Sequence, residues 1–207
     1  MELSIQKYCT LEPRKVSVNG HKLVEVDVQD SLEKSLVQTY RVLGLNYLKF
    51  FKMDNLSKLA TLAAECILKD TWLYELTDKS NLAVVLANAS SSLVTDANYQ
   101  RTITDPGNYF PSPSLFVYTL PNITIGEICL KHKIYGENVF FISQKFDANI
   151  LYFYVNELFE NTNTQQCITG WVECNEKTYE AFLLLVDKGT SSNKFEINII
   201  DKLYKTK

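Results

Sequence analysis

The stretch VFFISQKFDANI, residues 139 to 150, places three polar or reactive side chains together: Ser143, Gln144 and Lys145. Its pattern reads as a short apolar strand feeding directly into a helix, and such a corner can hold out a nucleophile. Ser143 would need a general base, and neither of the two histidines, His21 and His132, is spaced to supply one. The plain reading of Ser143 is a turn or helix-cap serine. Lys145 could form a Schiff base only with a depressed pKa, from burial or a neighbouring cation. Asp147 works in the opposite direction, so the plain reading of Lys145 is a lysine that pairs locally with a carboxylate.

Other groups offer less. Ser90, Ser91 and Ser92 form a polar loop that could touch a phosphate, but the plain reading is a tight turn at a strand end. The five cysteines, Cys9, Cys66, Cys129, Cys167 and Cys174, are odd in number and contain no CxxC pair. That argues against a disulfide framework or a zinc site and for reduced thiols in a cytoplasmic protein. Cys129 and Cys167 read as small core residues. A formal net charge of -3 gives no field to attract nucleic acid, and basic runs such as CLKHKIYG and KLYKTK read as solvated faces. The first residues lack the pattern of a signal peptide, and no apolar run approaches membrane-spanning length.

The elements around the corner follow from periodicity. KMDNLSKLATLAAECILKD is a helix with Asp54 as N-cap and an apolar stripe of Leu56, Leu59, Ala60, Ala63, Ile67 and Leu68. NLAVVLAN, residues 81 to 88, is a strand buried on both faces, as in a parallel sheet. The proline-rich DPGNYFPSPS is a loop. LPNITIGEICLKHKI is a helix starting near Pro121, with Ile125, Ile128 and Cys129 on one side, and Gly136 ends it. NVFFIS is a strand. DANILYFYVNELFEN is an amphipathic helix capped by Asp147, with Leu151, Tyr154, Val155 and Leu158 inward. Its aromatic residues Tyr152, Phe153 and Phe159 read as core or interface rather than a ligand box. QQCITGWVE, AFLLLVDKG and FEINIIDKL are three further strand candidates. The expected fold is a single α/β domain over 1–207, with helices layered on a mixed, mostly parallel five-stranded sheet extended by an antiparallel edge.

Taken in order, these blocks resemble the N-terminal half of β-ketoacyl synthases, which have the thiolase-like fold. KFFKMDNLSKLATLAAECILKD resembles the early Arg-Arg-Met-Asp stretch and its helix, and NLAVVLANASSSLVTDANYQRTI the following strand, Ser/Gly turn and helix. YFPSPSLFVYTLPNITIGEICLKHKIYGENVFFIS resembles the run that leads to the nucleophile strand. CITGWVE resembles the strand ending in Gly-Gly-x-Glu, and AFLLLVDKG the strand after it. The likeness runs from about Lys49 to Gly189. In that family a cysteine after the nucleophile strand carries the acyl chain; counted from Gly136, its position falls on Lys145. The family's next glycine falls on Ala148, and the second glycine of Gly-Gly-x-Glu on Trp171. The two catalytic histidines lie in a C-terminal half that has no counterpart here, and His132 sits where a helix terminus favours a cation.

The resemblance therefore implies a non-catalytic, chain-length-factor-like homologue with no cofactor. It would act beside an active β-ketoacyl synthase, or a copy of itself, in acyl-carrier-protein-dependent fatty-acid or polyketide biosynthesis. The alternatives are a stand-alone module binding an acyl chain or an acyl carrier protein, and an enzyme using Lys145. In the family, the strand before the nucleophile lies at the sheet edge and pairs across the dimer axis. Here it carries Val139, Phe140, Phe141 and Ile142, with no charge or proline to blunt it. These four are the candidate interface residues.

Overall fold

A computed structural model describes residues 2–13, 15–25, 31–107, 109–175 and 178–206. The chain opens with β1 (Ser4–Glu12), β2 (Lys15–Val18) and β3 (His21–Glu25). A two-residue Asn19–Gly20 turn joins β2 to β3. Both turn residues have positive φ, 51° and 78°, the geometry that lets a tight hairpin follow the twist of its strands. Next come α1 (Leu32–Val42), a 3-10 turn at Leu48–Lys52, α2 (Asn55–Leu68), the single-turn α3 (Trp72–Glu75) and β4 (Leu82–Asn88). A helical excursion follows, α4 (Leu93–Arg101), α5 (Pro113–Val117) and α6 (Asn122–His132), leading to β5 (Asn138–Ile142). α7 (Ala148–Asn161), β6 (Gln166–Cys174), β7 (Tyr179–Asp187) and α8 (Ile197–Lys205) complete the fold.

The strands form one seven-stranded sheet in the order β3-β2-β1-β7-β6-β4-β5. β4 runs parallel to both β5 and β6, as its unbroken apolar run predicts, and every residue of β4 is buried. β7 is antiparallel to both β6 and β1, so β1, β6, β4 and β5 all point one way. Three expectations change. The sheet has seven strands, not five, because three N-terminal strands join it while one expected strand drops out. FEINIIDKL is not a strand: Ile197, Ile200, Leu203 and Tyr204 recur at helical spacing and form the inner face of α8. The antiparallel strand β7 lies inside the sheet, not at its edge, since β1 pairs on its outer side.

Each face of the sheet carries its own core. On one, α1, α2 and α6 pack over Cys9, Leu11, Val84, Leu86, Leu183 and Leu185. On the other, α7 and α8 cover Val85, Ala87, Trp171, Phe182 and Leu184. α2 corrects the stripe expected of it. Every residue from Leu56 to Leu68 is buried, because the sheet, α1 and α6 surround the helix. Truncating Leu59 or Leu62, both fully buried, would cost roughly 2–5 kcal/mol. Asp54 caps α2 as expected, accepting from Ser57 N at 2.9 Å.

Burying α2 all round also buries Glu65, which is 0% exposed. Its carboxylate accepts from Tyr74 Oη at 2.8 Å and pairs with Lys131 of α6. Burial and the Glu65 bond push the Tyr74 phenol up to about 12. His132 lies with its Nε2 3.5 Å from Glu65. It does not serve as a cation at the helix end: burial, reinforced by Lys131 and Lys79, lowers its pKa to about 3 and keeps it neutral. α6 ends at Lys133 in the left-handed region (φ 55°), not at Gly136. Gly136 serves a close approach instead, since a Cβ there would sit 2.3 Å from the Leu82 carbonyl oxygen. No helix among the described residues is long and apolar enough to cross a membrane.

Candidate functional site

The carboxyl ends of the three parallel strands lie side by side, the place where sheets of this kind present chemistry. Two strand-to-helix corners meet there. In the first, after β4, buried polar groups fix the backbone. Asn88 Nδ2 donates to Ser91 O at 2.9 Å, and Asn88 Oδ1 accepts from Ser91 N at 3.0 Å. Glu173, at the end of β6, accepts from Ala89 N at 2.8 Å and Ser90 N at 3.2 Å through Oε2. Ser91 sits at φ 50°, and Ser92 Oγ donates to Thr119 O at 2.7 Å. Ser90, Ser91 and Ser92 are thus the turn of the plain reading. Thr95 Oγ1 donates to Asp54 Oδ2 at 2.8 Å, which links α4 to the start of α2. A small cleft of about 140 Å³ opens here, lined by Asp54, Asn55, Ser91, Thr95 and Cys174 among others. Burial pushes the Cys174 thiol up to about 12, which favours its protonated form.

The second corner, after β5, holds Ser143, Gln144 and Lys145. Ser143 N donates to Asn88 O at 2.9 Å, tying this corner to the first. Its hydroxyl donates to Lys145 O at 2.5 Å and is therefore a turn group. Gln144 and Lys145 are exposed. Asp147 caps α7 as expected, accepting from Asn149 N at 2.8 Å. Hydrogen bonds from Asn149 hold its carboxyl below the usual range, with Lys145 adding a smaller electrostatic contribution. The histidines stay away from this corner. His21 is on β3, at the far end of the sheet order, and His132 belongs to the Glu65 cluster. No group of three His, Cys, Asp or Glu side chains that could hold a metal occurs among the described residues.

Between Lys145 and α7 the chain turns inward at Phe146. Its ring stacks on Tyr204 of α8 with centroids 3.8 Å apart and planes 13° from parallel. It meets Phe182 at 5.8 Å and Trp171 at 6.2 Å, both edge-on. Tyr204 Oη donates to Glu180 Oε1 at 2.7 Å, which orients the ring. Trp171 is 3% exposed and lies beside the small side chain of Ala87 on β4. The preceding Gly170 lets β7 approach: its φ is 155°, and a Cβ would fall 2.0 Å from Phe182 O. An aromatic plug of Phe146, Trp171, Phe182 and Tyr204 therefore fills the space behind the corner. Trp171 was visible in the sequence as a large residue at a glycine position. The plug members Phe146 and Tyr204 were not, because Tyr204 lies in KLYKTK, a run read as a solvated face.

β5 is the last strand of the sheet, as expected. Glu137 O accepts from Val84 N, and Ser143 N donates to Asn88 O. The two-residue alternation of the ladder then turns the N–H and C=O groups of Asn138, Phe140 and Ile142 away from β4. Of the four candidate interface side chains, Val139 and Phe141 pack towards α7 and Phe140 towards α6, each half-buried. Ile142 is 52% exposed.

No family model matches the sequence, and no curated protein matches it. Solved structures do match. The ishigamide ketosynthase/chain length factor aligns with a TM-score of 0.65 and 13% identity, over 93% of this chain and 64% of that one. The ketosynthase ApeO in complex with its chain length factor ApeC from Xenorhabdus doucetiae aligns with a TM-score of 0.60 and 12% identity, over 92% and 81%. AntDE:AntF, a type II polyketide synthase acyl-carrier protein in complex with its ketosynthase, gives 0.60 and 12%, over 90% and 62%. The chain thus spans a little under two thirds of the first of these. The fold is that of the thiolase-like half of ketosynthases and chain length factors.

Proposed function

We propose that this chain is a non-catalytic partner subunit of the ketosynthase fold, akin to chain length factors, serving acyl-carrier-protein-dependent polyketide or fatty-acid assembly. One observation carries the reading: the corner after β5 presents Lys145 to solvent while the aromatic plug fills the space behind it. Counted on the family pattern, that corner is where a synthase holds its acyl-carrying cysteine. A thiolate accepts and releases an acyl group, whereas a lysine amine would form an amide that does not turn over. Condensation also needs imidazoles and backbone donors to stabilise a carbanion and an oxyanion. No histidine stands at the corner to do so.

What remains useful is the scaffold and its bare edge. The subunit is read as pairing through β5 with an active synthase or with a second copy, and its similarity to ketosynthase and chain-length-factor complexes supports that reading. The test is to incubate the purified chain with acyl- and malonyl-carrier protein. Neither acyl transfer nor decarboxylation should exceed a heat-killed control. Turnover above that control, or a borohydride-trapped carbonyl adduct at Lys145, would replace this reading with an enzyme.

A further inference from the structure

Between β4 and α6, residues 89–121 leave the sheet and return to it. This excursion buries little of itself: α4 buries only Thr95, and α5 buries no residue. Short helices are held by tertiary packing rather than by their own hydrogen bonds. Here the apolar side chains that could supply such packing stand in solvent. Leu93 is 63% and Phe110 75% exposed, and Tyr109, Phe116, Val117 and Leu120 are exposed as well. Contacts within the excursion gather them in one region. The rings of Tyr99 and Phe116 lie 5.4 Å apart, and Phe110 N donates to Thr102 O at 3.0 Å. Weighted by exposure, the six side chains leave roughly 700 Å² of apolar surface in water. That exceeds the ~300–600 Å² of a monomer's usual largest patch. It approaches the ~800 Å² that each partner gives to an interface of standard size. No Asp, Glu, Lys or Arg occurs from Pro106 to Gly126, and loss of charge is the compositional mark of an interface core.

We infer that the α4–α5 surface extends the pairing edge at β5 and is covered by a second copy of this chain. The inference rests on the β5 pairing proposed above. The excursion is rooted beside that edge. It begins after Asn88, which lies opposite Ile142 in the β4–β5 ladder and accepts from Ser143 N. The bond from Ser92 Oγ to Thr119 O brings its return to the same end. The reciprocal hydrogen bonds of an antiparallel pair are themselves two-fold symmetric, so a closed dimer runs its two β5 strands antiparallel. The Ile142 end of one copy then lies against the Asn138 end of the other. Just before Asn138 the chain displays Tyr135, 72% exposed, and the preceding helix α6 displays Leu130, 65% exposed. A second copy therefore offers the excursion an apolar seat, and symmetry makes the contact twice.

The test uses the pure chain, with sedimentation equilibrium and amide hydrogen exchange measured across the dimer dissociation range. Residues 109–121 and 130–136 should slow their exchange together with β5 as the dimer forms. Leu120→Lys and Tyr135→Lys, both at exposed positions, should each raise the dimer Kd at least tenfold and leave the urea midpoint unchanged. Leu23→Lys, on the opposite sheet edge, should leave the Kd unchanged. If Ile142→Lys splits the dimer while Leu120→Lys and Tyr135→Lys do not, the excursion has no part in the interface and the β5 pairing stands. A chain that is monomeric alone yet pairs with a ketosynthase overturns the second copy and keeps the β5 pairing. A monomer under both conditions overturns the two together.

Discussion

The two edges of the sheet are built on opposite plans. β3, at one end, exposes His21, Lys22 and Glu25, and Lys22 and Glu25 pair across 2.6 Å in the open. Charged side chains on an edge discourage another strand from docking. β5, at the other end, carries four apolar residues in a row, with Ile142 half exposed and the backbone groups of Phe140 and Ile142 turned outward. The edges also differ in what stands behind them. β3 buries only Val24, whereas β5 sends Phe140 into one core and Val139 and Phe141 into the other, with the ring of Phe141 edge-on to Tyr154 at 5.0 Å. The β5 edge is thus both firmly backed and unguarded, which is what a strand-pairing surface requires.

The largest effect expected from this contrast comes from the packing behind β5. Trp171→Ala would remove a buried ring of the aromatic plug and cost roughly 3–5 kcal/mol, read from the urea midpoint. Leu23→Ala on β3, at 48% exposed, should stay within about 0.5 kcal/mol. Similar losses at the two positions would mean that the plug does not support the β5 corner. A smaller change is expected from removing the guard on the other edge. Lys22→Val with Glu25→Val should leave the fold intact and introduce concentration-dependent association, seen by light scattering. A double variant that scatters like the wild type would show that these charges are not what protects β3.

Much of this arrangement can be read from residue order. Asp54 and Asp147 cap the helices they precede, and the uninterrupted run in β4 marks a strand flanked on both sides. The hairpin at the start went unread although Asn19–Gly20 is a strong turn signal, because Lys7, Lys15 and Lys22 mask the alternation around it. FEINIIDKL fits strand and helix spacing alike, and the packing of Ile197, Ile200, Leu203 and the following Tyr204 on one core decides for a helix. The site divides the same way. Lys145 and Trp171 could be placed by counting along a family pattern. The stacking of Tyr204 on Phe146 and the neutral state of His132 beside Glu65 both join distant segments, and no local spacing encodes them.

Sedimentation equilibrium tests the central claim most directly, with the wild type and Ile142→Lys each run alone and mixed with a ketosynthase from the same host. Ile142 is chosen because its side chain leaves both cores, so a charge there should alter the edge and not the fold. The account predicts a two-chain species for the wild type, either with itself or with the synthase, and a folded monomer for Ile142→Lys under both conditions. A wild type that remains monomeric at high concentration and also in the presence of the synthase would contradict it.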